Sequence, residues 1–262
     1  MLPRFHLFEF EDLPWFPKIL RNYMTDFLSQ AARMTKLFDD SYDVLAGVIR
    51  TSGVTTVLDL ASGGGGGLPP VAARLKREFP NLKVYLTDLY PNSSANEKTV
   101  SQYPDIYSAV TTPVDAMNVP EDLTGIRTMF LSFHHFRYED AKKILQDAVD
   151  RKQPIAIFEA QQRTLFHLLP MILSPLSTLL VTPFIRPFRA GRLFFTYILP
   201  VLLVTIMWDG IVSVFRTYTI KEMEQMISET DGSENFLWQT GVTRPGPRGI
   251  MYLTGVPKEN LY

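Results

Sequence analysis

The chain has no cysteine, so it can form neither a disulfide nor a thiolate metal site. It also has almost no net charge. Its 26 Lys and Arg stand against 27 Asp and Glu, giving −1 at pH 7. With a pI near 6.4 it carries no electrostatic footprint for nucleic acid, and no nucleic-acid partner is expected. Histidine is scarce. His6, His134, His135 and His167 include no pair at helical ligand spacing, and adjacent His134–His135 is poor ligand geometry, so no metal is expected. The opening MLPRFHLFEFEDLPWFP carries acids where a secretory signal would be apolar, which predicts a cytoplasmic protein. There is no internal repeat and, apart from one glycine run, no low-complexity tract. With 262 residues, 46% of them hydrophobic, the chain can bury a sizeable core as one globular body carrying an insertion.

What the sequence does hold is VLDLASGGGGG at residues 57–67, an apolar run with an acid and then five glycines. Val57–Leu60 reads as a buried parallel strand. The glycines let the backbone turn sharply and approach a ligand with no Cβ in the way. Pro69 and Pro70 then open a helix over 69–79. A strand, a glycine turn and a helix N-terminus form a cradle for a nucleotide-like ligand. An acid about 20 residues further on, at the end of the next strand, can hold ribose hydroxyls. Asp88, closing strand 83–88, is that acid.

The remaining pattern alternates. Two helices are expected within 18–50, ending near Ser52-Gly53. After strand 55–60 come a helix near 93–103, a short strand near 108–114 and the strand-like Val114–Met117. Strand 127–133, helix 138–151 and strand 154–159 follow, then helix 219–230 and strands 236–242 and 249–256. The fold class is therefore α/β, Rossmann-like, with a mostly parallel seven-stranded sheet and helices on both faces. Asp59, Asp88, Asp115, His134 and Glu159 all fall near strand ends, where ligands bind in such sheets.

In these residues and their order the chain resembles the class I S-adenosylmethionine-dependent methyltransferases. The resemblance implies S-adenosylmethionine as cofactor. Asp59, Ala61, Ser62, Gly63 and Gly65 would line its methionine end, with Ala61 standing where the family usually has a glycine. Asp88, with Leu89 beside it, would grip the ribose. Asp115 with Ala116 or Met117 would bracket the adenine, and Phe133 and His134 would lie near the methyl donor. A dinucleotide-dependent oxidoreductase is an alternative, because Ala61-x-Gly63-x-x-Gly66 half matches that fingerprint. A non-catalytic, membrane-associated protein that binds S-adenosylmethionine is another.

The unusual region lies between Glu159 and Asp209. Leu165–Ile185 and Leu193–Trp208 contain no formal charge, and Arg186, Arg189 and Arg192 separate them. The first run is long enough to span a bilayer, which needs ~20 apolar residues. A transmembrane hairpin, a helical cap over the active site and a membrane-dipping cap all remain open, with five prolines against the first. The resulting division is an N-terminal arm and helices (1–53), a cofactor-binding core (54–160), an apolar helical cap (161–208) and a closing helix and hairpin (209–262). Peripheral membrane contact is placed at 164–208.

Methyl transfer to oxygen benefits from a base. His134, His135 and Asp209 are the candidates. Asp209, Ser213 and Arg216 share one helix face by spacing. With Tyr218 and Trp15 they are expected to contact a small hydrophobic or amphiphilic acceptor. Asp209 and Arg216 could equally be a structural ion pair.

Overall fold

The computed structural model describes residues 2–63, 68–246 and 248–260. In chain order its elements are α1 (Lys18–Thr35), α2 (Ser41–Ser52), β1 (Thr56–Asp59), α3 (Pro69–Glu78), β2 (Lys83–Leu86), α4 (Ser93–Gln102) and β3 (Tyr107–Ala109). Then come β4 (Ile126–Phe130), α5 (Tyr138–Asp150), β5 (Ile155–Glu159), α6 (Leu165–Ile172), α7 (Ser174–Val181) and α8 (Ala190–Leu193). The last are α9 (Val201–Arg216), α10 (Ile220–Ser228), β6 (Phe236–Val242) and β7 (Met251–Pro257). They fall into two compact units, Leu37–Ala160 with Tyr218–Tyr262, and Met1–Lys36 with Gln161–Thr217.

The larger unit holds a seven-stranded sheet in the order β3-β2-β1-β4-β5-β7-β6. Strands β1 to β5 are parallel, and β7 runs antiparallel to both β5 and β6. The strands are apolar on both sides because both sides are covered. Ile155 and Ile157 enter a core with Ile144 and Leu145 of α5 and Met223 and Met226 of α10. Their neighbour Phe158 points the other way, stacking on Phe130 at 4.8 Å, with Phe38 edge-on to Phe130 at 5.2 Å. Helix α2 ends at Gly53, whose φ of 68° lets its N–H reach Ile49 O at 2.9 Å. The two prolines open α3 as expected.

Of the expected strands, one is shorter and one is absent among the described elements. The strand expected over 127–133 stops at Phe130, because Leu131 takes a φ of +51° and Phe133–His135 turn into a 3-10 helix. Val114–Met117 is a turn and not a strand. Asp115 Oδ1 accepts the Met117 N–H at 2.9 Å, closing the chain locally.

The smaller unit is helical. Phe16, Leu20, Tyr23, Met24 and Phe27 pack with Ile185, Leu202 and Ile206. Among the described residues no single helix is long and apolar enough to cross a membrane. The chain bends by 47° between Leu165–Ile172 and Ser174–Phe184, and by 82° between Ala190–Ile198 and Val201–Arg216. Pro175 starts α7, and Pro200 precedes α9 after a π-helical turn at Phe194–Ile198.

Candidate functional site

The strand order of the larger unit reverses between β1 and β4. In open parallel sheets the ligand crevice lies outside the carboxyl ends of the strands at that switch. The β1 exit loop is pinned from both sides. Leu60 N–H donates to Thr128 O of β4 at 2.8 Å, and Ser62 N–H to Thr87 O at 3.0 Å. Ala61 and Gly63 have φ of +50° and +54°. Among the described residues nothing lies within 4 Å of the Cβ position of Gly63, so none of them shields the backbone there. Gly63 N–H donates to Asp88 Oδ2 and Tyr90 N–H to Asp88 Oδ1, both at 2.8 Å. The Asp88 carboxylate is thus fixed beside the loop. The expectation for Gly65 lies outside the described residues.

Asp59 is buried at the end of β1, with Thr128 Oγ1 donating to its carboxylate at 2.9 Å. Burial raises its pKa to about 7; the Thr128 hydrogen bond opposes that rise and the Asp88 charge adds to it. Val114 N–H donates to Asp88 O at 2.9 Å, which brings the Asp115 turn to the end of β2. Ala116 is buried and Met117 packs against the same core. Leu89 is 45% exposed.

The 3-10 turn after β4 buries Phe133 and His134. Phe133 lies 5.5 Å from the ring of Tyr218, whose hydroxyl donates to Phe136 O at 2.8 Å. His134 is held by the acid at the end of the adjacent strand. Its backbone N–H donates to Glu159 Oε1 at 3.1 Å and its Nδ1 to Oε2 at 2.8 Å, both side chains being buried. The His135 ring is 4.5 Å from that of His134. Three buried atoms in this region have no hydrogen-bond partner among the described residues: Ser62 Oγ after β1, and Ser132 Oγ and His134 Nε2 after β4.

Asp209, Ser213 and Arg216, expected at the acceptor, have partners within the helical unit. Asp209 and Arg216 do not pair with each other. Asp209 accepts the backbone N–H of Phe10 at 2.7 Å and of Glu11 at 3.1 Å. Burial raises its pKa to about 7, the Phe10 N–H opposes that rise, and the Glu9 charge adds to it. Arg216 meets Glu9 at 3.2 Å and Asp12 at 2.5 Å, and donates to Leu7 O at 2.7 Å. Ser213 donates to Glu9 Oε1 at 3.1 Å and to Asp209 O at 2.8 Å. The shared face expected from their spacing exists, and it clasps the N-terminal segment. Trp15 is 70% exposed.

The sequence does not mark Thr87 or Thr128, because a threonine in or just after a strand carries no signal of its own. Glu159 was visible only as an acid at a strand end. Its partnership with His134 follows from β5 lying beside β4.

No protein-family model and no curated protein matches the chain. Solved structures do. The pyocyanin biosynthetic protein PhzM is 10% identical over 86% of this chain and 56% of that chain, with a TM-score of 0.51. Mitomycin 7-O-methyltransferase MmcR is 15% identical over 88% of this chain and 56% of that chain, at 0.50. Magnesium protoporphyrin IX methyltransferase from Synechocystis PCC 6803, solved with bound S-adenosylhomocysteine, is 13% identical over 92% of this chain and 89% of that chain, at 0.46. The chain spans little more than half the length of the first two. At these identities the likeness is one of fold, and the fold is that of the class I S-adenosylmethionine-dependent methyltransferases.

Proposed function

We propose that the protein is an S-adenosylmethionine-dependent methyltransferase acting on a small hydrophobic or amphiphilic acceptor of lipid, quinone or polyketide-like chemistry. The observation that carries this reading is the set of buried polar atoms left without a partner, Ser62 Oγ, Ser132 Oγ and His134 Nε2, beyond the ends of β1 and β4. Buried polar groups are normally satisfied, and a polar ligand at the switch point would satisfy these. Asp59, Ala61, Ser62 and Gly63 would hold the methionine end of the cofactor, whose positive charge suits a carboxyl that burial chiefly makes reluctant to ionise. Asp88 and Leu89 would take the ribose, Asp115, Ala116 and Met117 the adenine, and Phe133 would wall the methyl-donor side.

When bound, S-adenosylmethionine supplies a methyl group already activated on a sulfonium. The protein's share is to align an acceptor, exclude water and move a proton. Glu159 accepts the Nδ1–H of His134 and fixes its ring, which leaves the Nε2 lone pair to take the proton of an acceptor hydroxyl. Glu159 then stabilises the imidazolium. His135 is the second candidate base. Asp209, Ser213 and Arg216 serve as anchors of the N-terminal segment, and exposed Trp15 is left for contact with an apolar acceptor. The outward leucines and phenylalanines of the helical unit support an apolar acceptor and contact with a membrane; the cytoplasm, at the inner face of that membrane, is the place proposed for the protein.

Incubation with methyl-labelled S-adenosylmethionine and lipid or quinone extracts tests this. Label should enter the organic phase and fail to do so with His134→Ala. Transfer to polar acceptors alone would contradict the acceptor class. Binding without transfer to any acceptor would make the chain a cofactor-binding partner protein.

A further inference from the structure

The polarity of the helical unit is reversed on one side. Along α6, α7 and the turn after them, the buried positions are His167, Ser174, Thr178 and Thr182. The large apolar side chains face out. Leu165, Leu169, Leu176, Leu180 and Phe184 stand 57–72% exposed, and together with Ile172 they recur at spacings of three and four residues on either side of the 47° bend. In the connecting loop and after it, Phe188, Ile198 and Val204 are also 55–73% exposed. Single exposed apolar residues mean nothing, but a contiguous apolar surface marks an interface.

Three observations say what covers it. First, the hydroxyls in this region bond inside the protein: Tyr197 Oη donates to Leu179 O, and the serines and threonines mostly bond within their own helical stretch. Thr178 Oγ1 donates to Ser174 O and Thr196 Oγ1 to Arg192 O, each at 2.8 Å, and Ser177 Oγ donates to Ser174 O at 2.9 Å. A specific protein interface carries about one hydrogen bond per 100–200 Å², and this surface offers almost no side chain to make one. Lipid needs none. Second, residues 160–208 contain four arginines and no acid. Arg192 is buried and clamps the loop, donating to Asp26 at 2.6 Å and to Ile185 O and Pro187 O at 2.7 and 2.8 Å. Arg186 is exposed, between the exposed Phe184 and Phe188 in sequence, and Arg189 is partly exposed with Asp26 Oδ2 3.9 Å away. That pattern complements anionic headgroups. Third, among the described residues no single helix is long and apolar enough to cross a bilayer, and bent pairs of short helices, at 47° and 82°, can lie in its interface.

We propose that α6, α7 and residues 186–204 form a docking surface for an anionic lipid bilayer, with the outward leucines and phenylalanines dipping into the boundary between headgroups and acyl chains. This deepens the membrane placement given above and does not depend on methyl transfer. The test is sedimentation of the full chain with neutral phosphatidylcholine vesicles and with vesicles that also contain phosphatidylglycerol. Binding to the anionic vesicles is expected, falling with salt, and about 100-fold weaker in the double variant L176E/L180E. Both leucines are more than half exposed, so that variant should keep its circular dichroism and melting temperature. No binding to either vesicle, or equal binding by the variant, overturns the proposal. So does a dimer in light scattering that the same variant splits and that ignores vesicles. Vesicle binding by a protein that does not bind S-adenosylmethionine would instead sink the methyltransferase reading and leave this one standing.

Discussion

Replacing Asp59 by asparagine should make the protein more stable near neutral and alkaline pH while weakening its hold on the cofactor. Asp59 is 3% exposed, and burial is the main cause that lifts its pKa from 3.8 to about 7. A shift of about three units at 1.36 kcal/mol each is about 4 kcal/mol. Because the folded pKa is the higher one, the folded state holds this proton more tightly. The contribution is fully present below about pH 4, fades as the pH rises, and is gone above about pH 7. Asparagine carries no charge and still offers an oxygen to Thr128 Oγ1, so it removes the titration and keeps the hydrogen bond. Urea unfolding across that range should show the variant gaining on the wild type, to an upper bound of about 4 kcal/mol at alkaline pH. Asp209, also raised to about 7, contributes the same slope to both proteins and cancels in the difference. Parallel stability curves would refute the claim that burial strains this carboxylate. Undiminished cofactor affinity in the variant would refute the claim that the strain is kept for a cationic ligand.

Other perturbations separate catalysis from packing. Glu159→Gln should lower turnover by a large share of the 10²–10⁴-fold or so that a positioned base supplies, with S-adenosylmethionine affinity unchanged by calorimetry. Arg216→Ala takes away the cation that faces buried Glu9. It should cost about 3–5 kcal/mol in chemical unfolding and speed proteolysis before Lys18. At Gly125, with φ +145°, an added Cβ would sit 2.7 Å from Thr56 O. Gly125→Ala should therefore destabilise by about 1–3 kcal/mol, read from denaturant midpoints.

The sheet could be read from sequence because its signals are local. Continuous apolar runs named five parallel strands, Asp59 and Asp88 stood at two of their ends, and Pro69-Pro70 and Gly53 marked helix boundaries. Errors arose where backbone geometry overrode pattern. Leu131 looks like strand and sits at φ +51°, and Val114–Met117 looks like strand and closes on the Asp115 side chain. The helix face of Asp209, Ser213 and Arg216 was visible from spacing, but not its partners. Glu9, Phe10 and Asp12 lie about 200 residues away, and no periodicity reports such a contact. The apolar insertion likewise announced helices but not which side faces out, because that depended on where its few hydroxyls and His167 were buried.

The most direct test of the cofactor site is calorimetric titration of the purified chain with S-adenosylmethionine, with nicotinamide dinucleotides as the control and Asp88→Ala as the comparison. Asp88 is fixed by the N–H groups of Gly63 and Tyr90 at the end of β2, so its loss should remove the ribose contact without disturbing the sheet. Saturable binding of S-adenosylmethionine that disappears in Asp88→Ala is the predicted result. No binding, or a preference for the dinucleotide, would contradict the methyltransferase reading.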